Sequence, residues 1–312
     1  MSPWISITPN VLWVVLAMLV TLATGTLIRI RGLRGAAAEL AGNRLSSLRS
    51  WWIVAALVIA AALSGVAGSC LLSAVVSGLA LIEFLRLTRE DLPRAARWLA
   101  FALIPAHYFL IWLNWSPAQA VFLPLASVML LGLAMVASRR TAGFRAAAGG
   151  AVWGLLITTY LLSHVVLLFR LPVAGDAAGG AGWFLLVILV TEGSDIMQAL
   201  VGRKFGRRKL ARVVSPHKTW EGFAGGVAAA TLVAMLIAPW LTPLNLWQAA
   251  LGGLLIAVVG LFGDLNISAL KRDAGVKDSG TLLPGQGGVL DRVDSLTFTA
   301  PVFYYFARIM LG

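Results

Sequence analysis

An all-α, polytopic integral membrane fold with about ten transmembrane helices, eight to ten being admissible, is what this sequence predicts. Three observations carry that expectation. Hydrophobic residues make up 59% of the 312-residue chain against 12% charged. The mean hydropathy is +0.87, and it comes from repeated apolar runs of bilayer-crossing length rather than from scattered core positions. Finally, the basic residues fall in alternate connecting segments, as they do when a chain is threaded back and forth through a membrane.

At roughly 20 apolar residues per crossing, the spans fall at about 11–28, 51–66, 68–87, 97–114, 119–136, 150–170, 183–201, 222–241, 248–268 and 295–311. The second and third share one apolar run broken only by Ser64, Gly65, Gly68 and Ser69, which is why fewer spans stay admissible. Arg29, Arg31 and Arg34 follow the first apolar run and no base precedes it within ten residues. That order is the reverse of a cleavable signal peptide, so the first segment is expected to remain as an anchor. The single cysteine, Cys70, sits in an apolar stretch; it excludes an intrachain disulfide and a cysteine metal cluster and reads as packing. Two regions of one membrane unit are expected: N-terminal helices over 1–180 and a C-terminal catalytic region with polar loops over 181–312.

With the first terminus outside, the segments 29–50, 86–97, 138–149, 202–221 and 269–294 share one side. They hold 23 of the 25 Lys and Arg residues, which makes that side cytoplasmic by the positive-inside rule. The net charge of +12 is therefore a topology signal and calls for no nucleic acid. In the first three of these loops the arginines serve as orientation signals and anchors for anionic lipid headgroups.

The last two loops ask for more. Carboxylates near bilayer depth usually face a partner, a cavity or an ion, and Glu83, Glu192, Asp195 and Asp264 qualify. Glu83 stands three residues before Arg86, so a helix-face ion pair is expected for it. Glu192 and Asp195 share a helix face and, like Asp264, approach the cytoplasmic level. In the loop 202–221, Ser215-Pro216 reads as a helix start with Ser215 as the cap. Lys218 and Thr219 would then lie at free backbone N–H groups, an anion site, although the basic run could also hold anionic lipid alone. His217 receives no ligand role.

The stretch 271–296 gathers eight charges, a Pro-Gly turn and a Gly-Gly pair. Asp291 and Asp294, spaced i and i+3, can converge with Asp264 on a cation, and hard oxygens of this kind suit Mg²⁺. The rival account has the two aspartates opposing the positive end of the last helix. Lys271, Arg272, Lys277 and Arg292 in the same loop, with glycines that admit a ligand close to the backbone, are what a metal–triphosphate complex requires.

Ser268-Ala269-Leu270-Lys271-Arg272, Lys277-Asp278, Pro284-Gly285-Gln286-Gly287-Gly288 and Asp291-Arg292-Val293-Asp294 together closely resemble the signature of the CDP-diacylglycerol synthases, or phosphatidate cytidylyltransferases. Gly202–Gly206 and Ser215–Gly222 resemble the family's second region. The likeness covers the C-terminal third; the first 180 residues match only as hydrophobic spans. It implies that CTP and phosphatidic acid, or another acidic lipid in a divergent branch, become a CDP-lipid and pyrophosphate with Mg²⁺, at the cytoplasmic face of a bacterial inner membrane. The family's metal-centre aspartates fall on Asp264 and Asp291. Lys271, Arg272 and Lys277 would neutralise phosphates, Asp278 would orient a lysine or the metal's waters, and Lys218 and Thr219 would bind phosphate. A homodimer is compatible with the sequence.

Three departures mark this chain. Gln286 stands where the family usually has His, Ile267 where it usually has Glu, and Gln198-Ala199 where an Ala-Tyr pair is common. Gln can hydrogen-bond a nucleotide but cannot carry a proton near neutral pH, and the missing Glu removes a partner from the metal's surroundings. Two other classes compete. A transporter would show internal repetition and polar residues at the midplane, which the sequence lacks. An inert scaffold descended from the enzyme would explain Gln286 and Ile267 but not the retained Asp264, Lys271, Asp291 and Asp294.

Overall fold

A computed structural model describes residues 8–32, 38–89, 91–139, 141–173 and 179–312. Arg34 and Arg140, counted above among the loop bases, lie outside the described residues. The described residues are α-helical apart from one short hairpin and the connecting loops, as expected. Helix α1 (Pro9–Arg31) leads into α2 (Ala38–Thr88) and α3 (Arg94–Trp112). A fourth stretch is built from α4 (Ser116–Ala126) and α5 (Gly132–Ala137), joined through a π turn at Ser127–Leu131. Next come α6 (Phe144–Leu155) and α7 (Leu162–Leu167), joined by a second π turn at Leu156–Leu161. Beyond them lie α8 (Gly179–Phe205), strands β1 (Lys209–Ala211) and β2 (Ser215–Thr219), then α9 (Trp220–Leu241), α10 (Leu246–Asp273) and α11 (Leu290–Leu311).

Among the described residues, eight helical stretches are long and apolar enough to cross a membrane, which makes this a polytopic membrane protein. One of them, Leu45–Thr88, is 44 residues long and contains both the second and the third expected span. Its backbone breaks at Gly65, with φ 63 and ψ −157, a conformation open to glycine and nearly closed to other residues. The break is a reversal. Ser47 contacts Gln286 and Glu83 contacts Leu290, whereas a straight helix would hold Ser47 and Glu83 about 54 Å apart. Ser69 Oγ closes the bend by donating to Ala61 O at 2.9 Å. Helix α11 is long enough to cross but less apolar than the eight, since threonines and tyrosines interrupt its aliphatic face.

The surface confirms the solvent. Along α9, Leu232, Leu236 and Trp240 stand one turn apart and outward at 60%, 70% and 63% exposure; such an apolar stripe belongs against lipid. The opposite face of α9 buries Gly226, Ala230, Ala234 and Ala238, small residues that let helix backbones approach closely. Helix α10 starts with a reciprocal cap, Asn245 accepting from Gln248 N at 2.9 Å and Gln248 Oε1 from Asn245 N at 3.0 Å.

The five basic segments meet at one end of the bundle. Arg89 donates to Ala274 O at 2.5 Å, Arg272 to Val214 O at 3.2 Å and Gln286 to Ser47 O at 3.0 Å. Gly150, just past the 138–149 segment, lies against Thr88. The shared side read from charge is thus a shared side in space.

Candidate functional site

All the singled-out residues of the C-terminal region lie at this basic end. The first correction concerns Ser215-Pro216. No helix begins there: Ser215–Thr219 is strand β2, antiparallel to β1 with Ala211 opposite Ser215 and Lys209 opposite Thr219. The hairpin wins because Glu221 accepts from the backbone N–H of Arg207 at 2.9 Å and of Arg208 at 3.1 Å, tying β1 to the start of α9. The helix starts at Trp220, capped by Thr219, whose Oγ1 accepts from Gly222 N at 3.1 Å. Trp220 N is held by Arg208 O. The free N–H groups expected for an anion are therefore engaged, and Thr219 acts as a cap. Lys218 turns inward instead, placing Nζ 2.5 Å from Asp264 Oδ2.

Asp264 sits on α10, where Gly263 touches α11: a β-carbon at Gly263 would lie 2.5 Å from Asp294 O. This contact brings Asp264 and Asp294 together. Asp264 Oδ1 accepts from Ser268 Oγ at 3.0 Å. The charges of Asp264 and Asp195 act directly on Asp294, and those of Asp195 and Arg292 act on Glu192. Glu192 and Asp195 therefore join Asp264 and Asp294 in one half-buried carboxylate cluster, with Lys218, Lys271 and Arg292 as its cations. Gln198 connects them: its amide reaches Asp195 Oδ1 at 3.4 Å while its Oε1 faces Lys218 Nζ at 3.5 Å. The i, i+3 spacing of Glu192 and Asp195 was the sequence signal for this; nothing in the sequence pointed to Gln198 as the bridge.

Asp291 occupies a different setting. It is 7% exposed, and Lys271 Nζ donates to its Oδ1 at 2.6 Å. Its Oδ2 accepts from Ser279 N at 2.8 Å, Ser279 Oγ at 3.0 Å and Gly288 N at 2.9 Å. Four donors on one carboxylate favour its ionised form. In this structure, then, Asp294 lies with Asp264, whereas Asp291 is held by Lys271, Ser279 and Gly288.

The second correction concerns Glu83. It makes no ion pair along its own helix but is buried at 5% exposure, accepting from Ser279 Oγ at 2.8 Å, Val289 N at 3.0 Å and Leu290 N at 2.9 Å. These are the open N–H groups at the start of α11. The glycines of the loop take on another meaning too. A β-carbon on Gly288 would collide with Glu83, and one on Gly287 would lie 2.5 Å from Asp291 Oδ2. The backbone comes close to the protein's own carboxylates, not to an open pocket.

The remaining expected residues divide. Lys277 and Asp278 are exposed on the loop, where the Lys277 ammonium can meet a soluble anion. Arg272 donates to the carbonyls of Val214 and Val276, so it braces the hairpin turn. Gln286 Nε2 holds Ser47 O, and Gln286 Oε1 is a buried acceptor without a partner. Ser215 is half-buried in β2. Arg292 Nε is likewise buried and unpartnered. Ile267 is fully buried in an apolar cluster with Phe84, Leu270 and Leu290.

Among the described residues, no three His, Cys, Asp or Glu side chains form a ready metal-holding group. The donor chemistry nonetheless fits a hard divalent cation. Asp264, Asp294 and Asp195 are carboxylates within one another's field, and the Lys218 ammonium now neutralises Asp264 where a cation would.

A sequence model described as the cytidylyltransferase family matches residues 46–310. An uncharacterised protein, YnbB, of Escherichia coli is 44% identical over 262 residues, covering 84% of this chain and 86% of its own. Phosphatidate cytidylyltransferases of Synechocystis and Pseudomonas aeruginosa are 50% identical over 120 residues and 45% over 152. Those matches cover 38% and 48% of this chain and 40% and 54% of those proteins' own lengths.

Proposed function

Since the chain belongs to the cytidylyltransferase family, we propose that it transfers the cytidylyl group of CTP to phosphatidic acid, giving CDP-diacylglycerol and pyrophosphate at the cytoplasmic face of a bacterial inner membrane. The observation that carries the reading is the meeting of Asp264, Asp294 and Asp195 with Lys218 and Lys271 at the basic end of the bundle. It supports the reading because it gathers anion-binding cations and cation-binding oxygens at one end of the helices, as a site joining a soluble nucleotide to a lipid headgroup needs.

In the reaction, an oxygen of the lipid phosphate attacks the α-phosphorus of CTP. The bond from that phosphorus to the α–β bridging oxygen breaks, and pyrophosphate leaves with the electron pair. Positioning and charge neutralisation do most of such work. Asp264 and Asp294 would hold Mg²⁺, while Asp291 holds Lys271 in place beside them. When bound, the ion supplies charge neutralisation on the triphosphate. Lys277, exposed on the loop, would meet the leaving phosphates, and Lys218 would face them from the hairpin once it gives up its contact with Asp264. Lys271 stays on Asp291 and presents its remaining N–H donors inward.

Purified protein in detergent, given radiolabelled CTP and phosphatidic acid with and without Mg²⁺, tests this. A CDP-lipid whose formation stops on chelation supports the reading. Product only with a different acidic lipid would move the acceptor, and no product from folded protein with any acidic lipid would overturn it.

A further inference from the structure

We propose that Glu83, from the hydrophobic half of the chain, is a positioning residue for the site: it sets Asp291 and Lys271 through Ser279 and the first turn of α11. The proposal rests on the transfer reading above. Three observations carry it. Ser279 Oγ lies 2.8 Å from Glu83 Oε2 and 3.0 Å from Asp291 Oδ2, so the one hydroxyl proton is shared between two carboxylates and fixes their separation. Glu83 also receives the N–H groups of Val289 and Leu290, the residues directly before Asp291. Finally, the chain is moulded to this carboxylate, since β-carbons at Gly280 and Gly288 would both strike it.

A buried carboxylate needs compensation, and here its partners are three donors of the signature loop and of the helix that follows it. Its hold on the loop is reinforced from the other arm of α2, where Ser50 Oγ donates to Pro284 O at 3.0 Å beside the Ser47–Gln286 bond. The two arms of α2, folded at Gly65, grip the loop on both sides of its glycines. Glu83 touches neither the proposed nucleotide nor the lipid; it acts through Asp291.

The test compares Glu83→Gln, Ser279→Ala and the double variant in full-length protein. The amide keeps the size of Glu83 but loses the charge that gathers three donors. Expected are a kcat at least about tenfold lower in each single variant, a KM for CTP little changed, and a double variant no slower than the slower single one, since both act along one path. Lys-C cleavage after Lys277 should quicken in Glu83→Gln while the melting temperature of the whole protein holds. Should Glu83→Gln fail to fold, Ser279→Ala carries the same kcat and KM comparison. Unchanged kcat and unchanged cleavage in an active, folded protein would overturn the proposal, as would losses that multiply in the double variant. If the wild type makes no CDP-lipid at all, the transfer reading fails, while the cleavage rate still decides whether Glu83 holds the loop.

Discussion

Two lysine–aspartate pairs, Lys218–Asp264 and Lys271–Asp291, lie in the same region at nearly the same length, 2.5 and 2.6 Å, yet differ in kind. The side chains of the first are 17% and 23% exposed, those of the second 10% and 6%. Lys218 arrives on a hairpin and meets a carboxylate with other acids at its back; Lys271 meets a carboxylate already fixed by Ser279 and Gly288. The first pair is therefore a replaceable contact, in which another cation can take the lysine's place. The second is part of the frame, because separating it would strand a buried charge.

The sharpest way to break this contrast is Asp264→Asn. It should lower turnover roughly 10³-fold with the melting temperature nearly unchanged, read by CDP-lipid formation beside a thermal unfolding curve. Asp291→Asn should abolish turnover and also destabilise the protein by about 3 kcal/mol, since Lys271 is left buried without its counter-charge. An Asp291→Asn protein as stable as the wild type would erase the distinction. Lys218→Met should cost stability no more than about 1 kcal/mol and lower the Mg²⁺ concentration that half-saturates the rate, because the ammonium competing for Asp264 is gone; a higher requirement would place Lys218 on the metal's side of the balance. The smallest effect belongs to Gln286→His, whose ring can also donate to Ser47 O. Activity should hold or rise, and a large fall would show that the amide's unpartnered oxygen contributes to the reaction.

Much of the architecture was legible in the sequence because a bilayer imposes long-range order on a chain. Twenty-residue apolar runs and alternate basic loops located the helices and gathered five segments on one side. Even the reversal at Gly65 was readable as a break between two spans. The site was legible by membership more than by contact. The motif residues stand at the basic end as expected, but which carboxylate takes which lysine depends on helix contacts such as Gly263 against Asp294, and spacing along a chain does not encode these. Ser215-Pro216 misled because a good local helix start lost to a carboxylate, Glu221, acting from the next turn. Glu83 misled because Arg86 offered a neighbour three residues away, whereas its partners came from 196 to 207 residues further on.

That separation has a consequence for how the protein is made. At about 5–20 residues per second of synthesis, the third span is finished roughly 10–40 s before the chain that will cap Glu83 emerges. Through that interval the folded-back pair of α2 arms waits in the membrane with an acid facing its open end. The helix that completes the site thus leaves the ribosome long after the arm that carries Glu83, so a chain truncated before Leu290 would insert its earlier spans and yet never assemble the Asp291 frame.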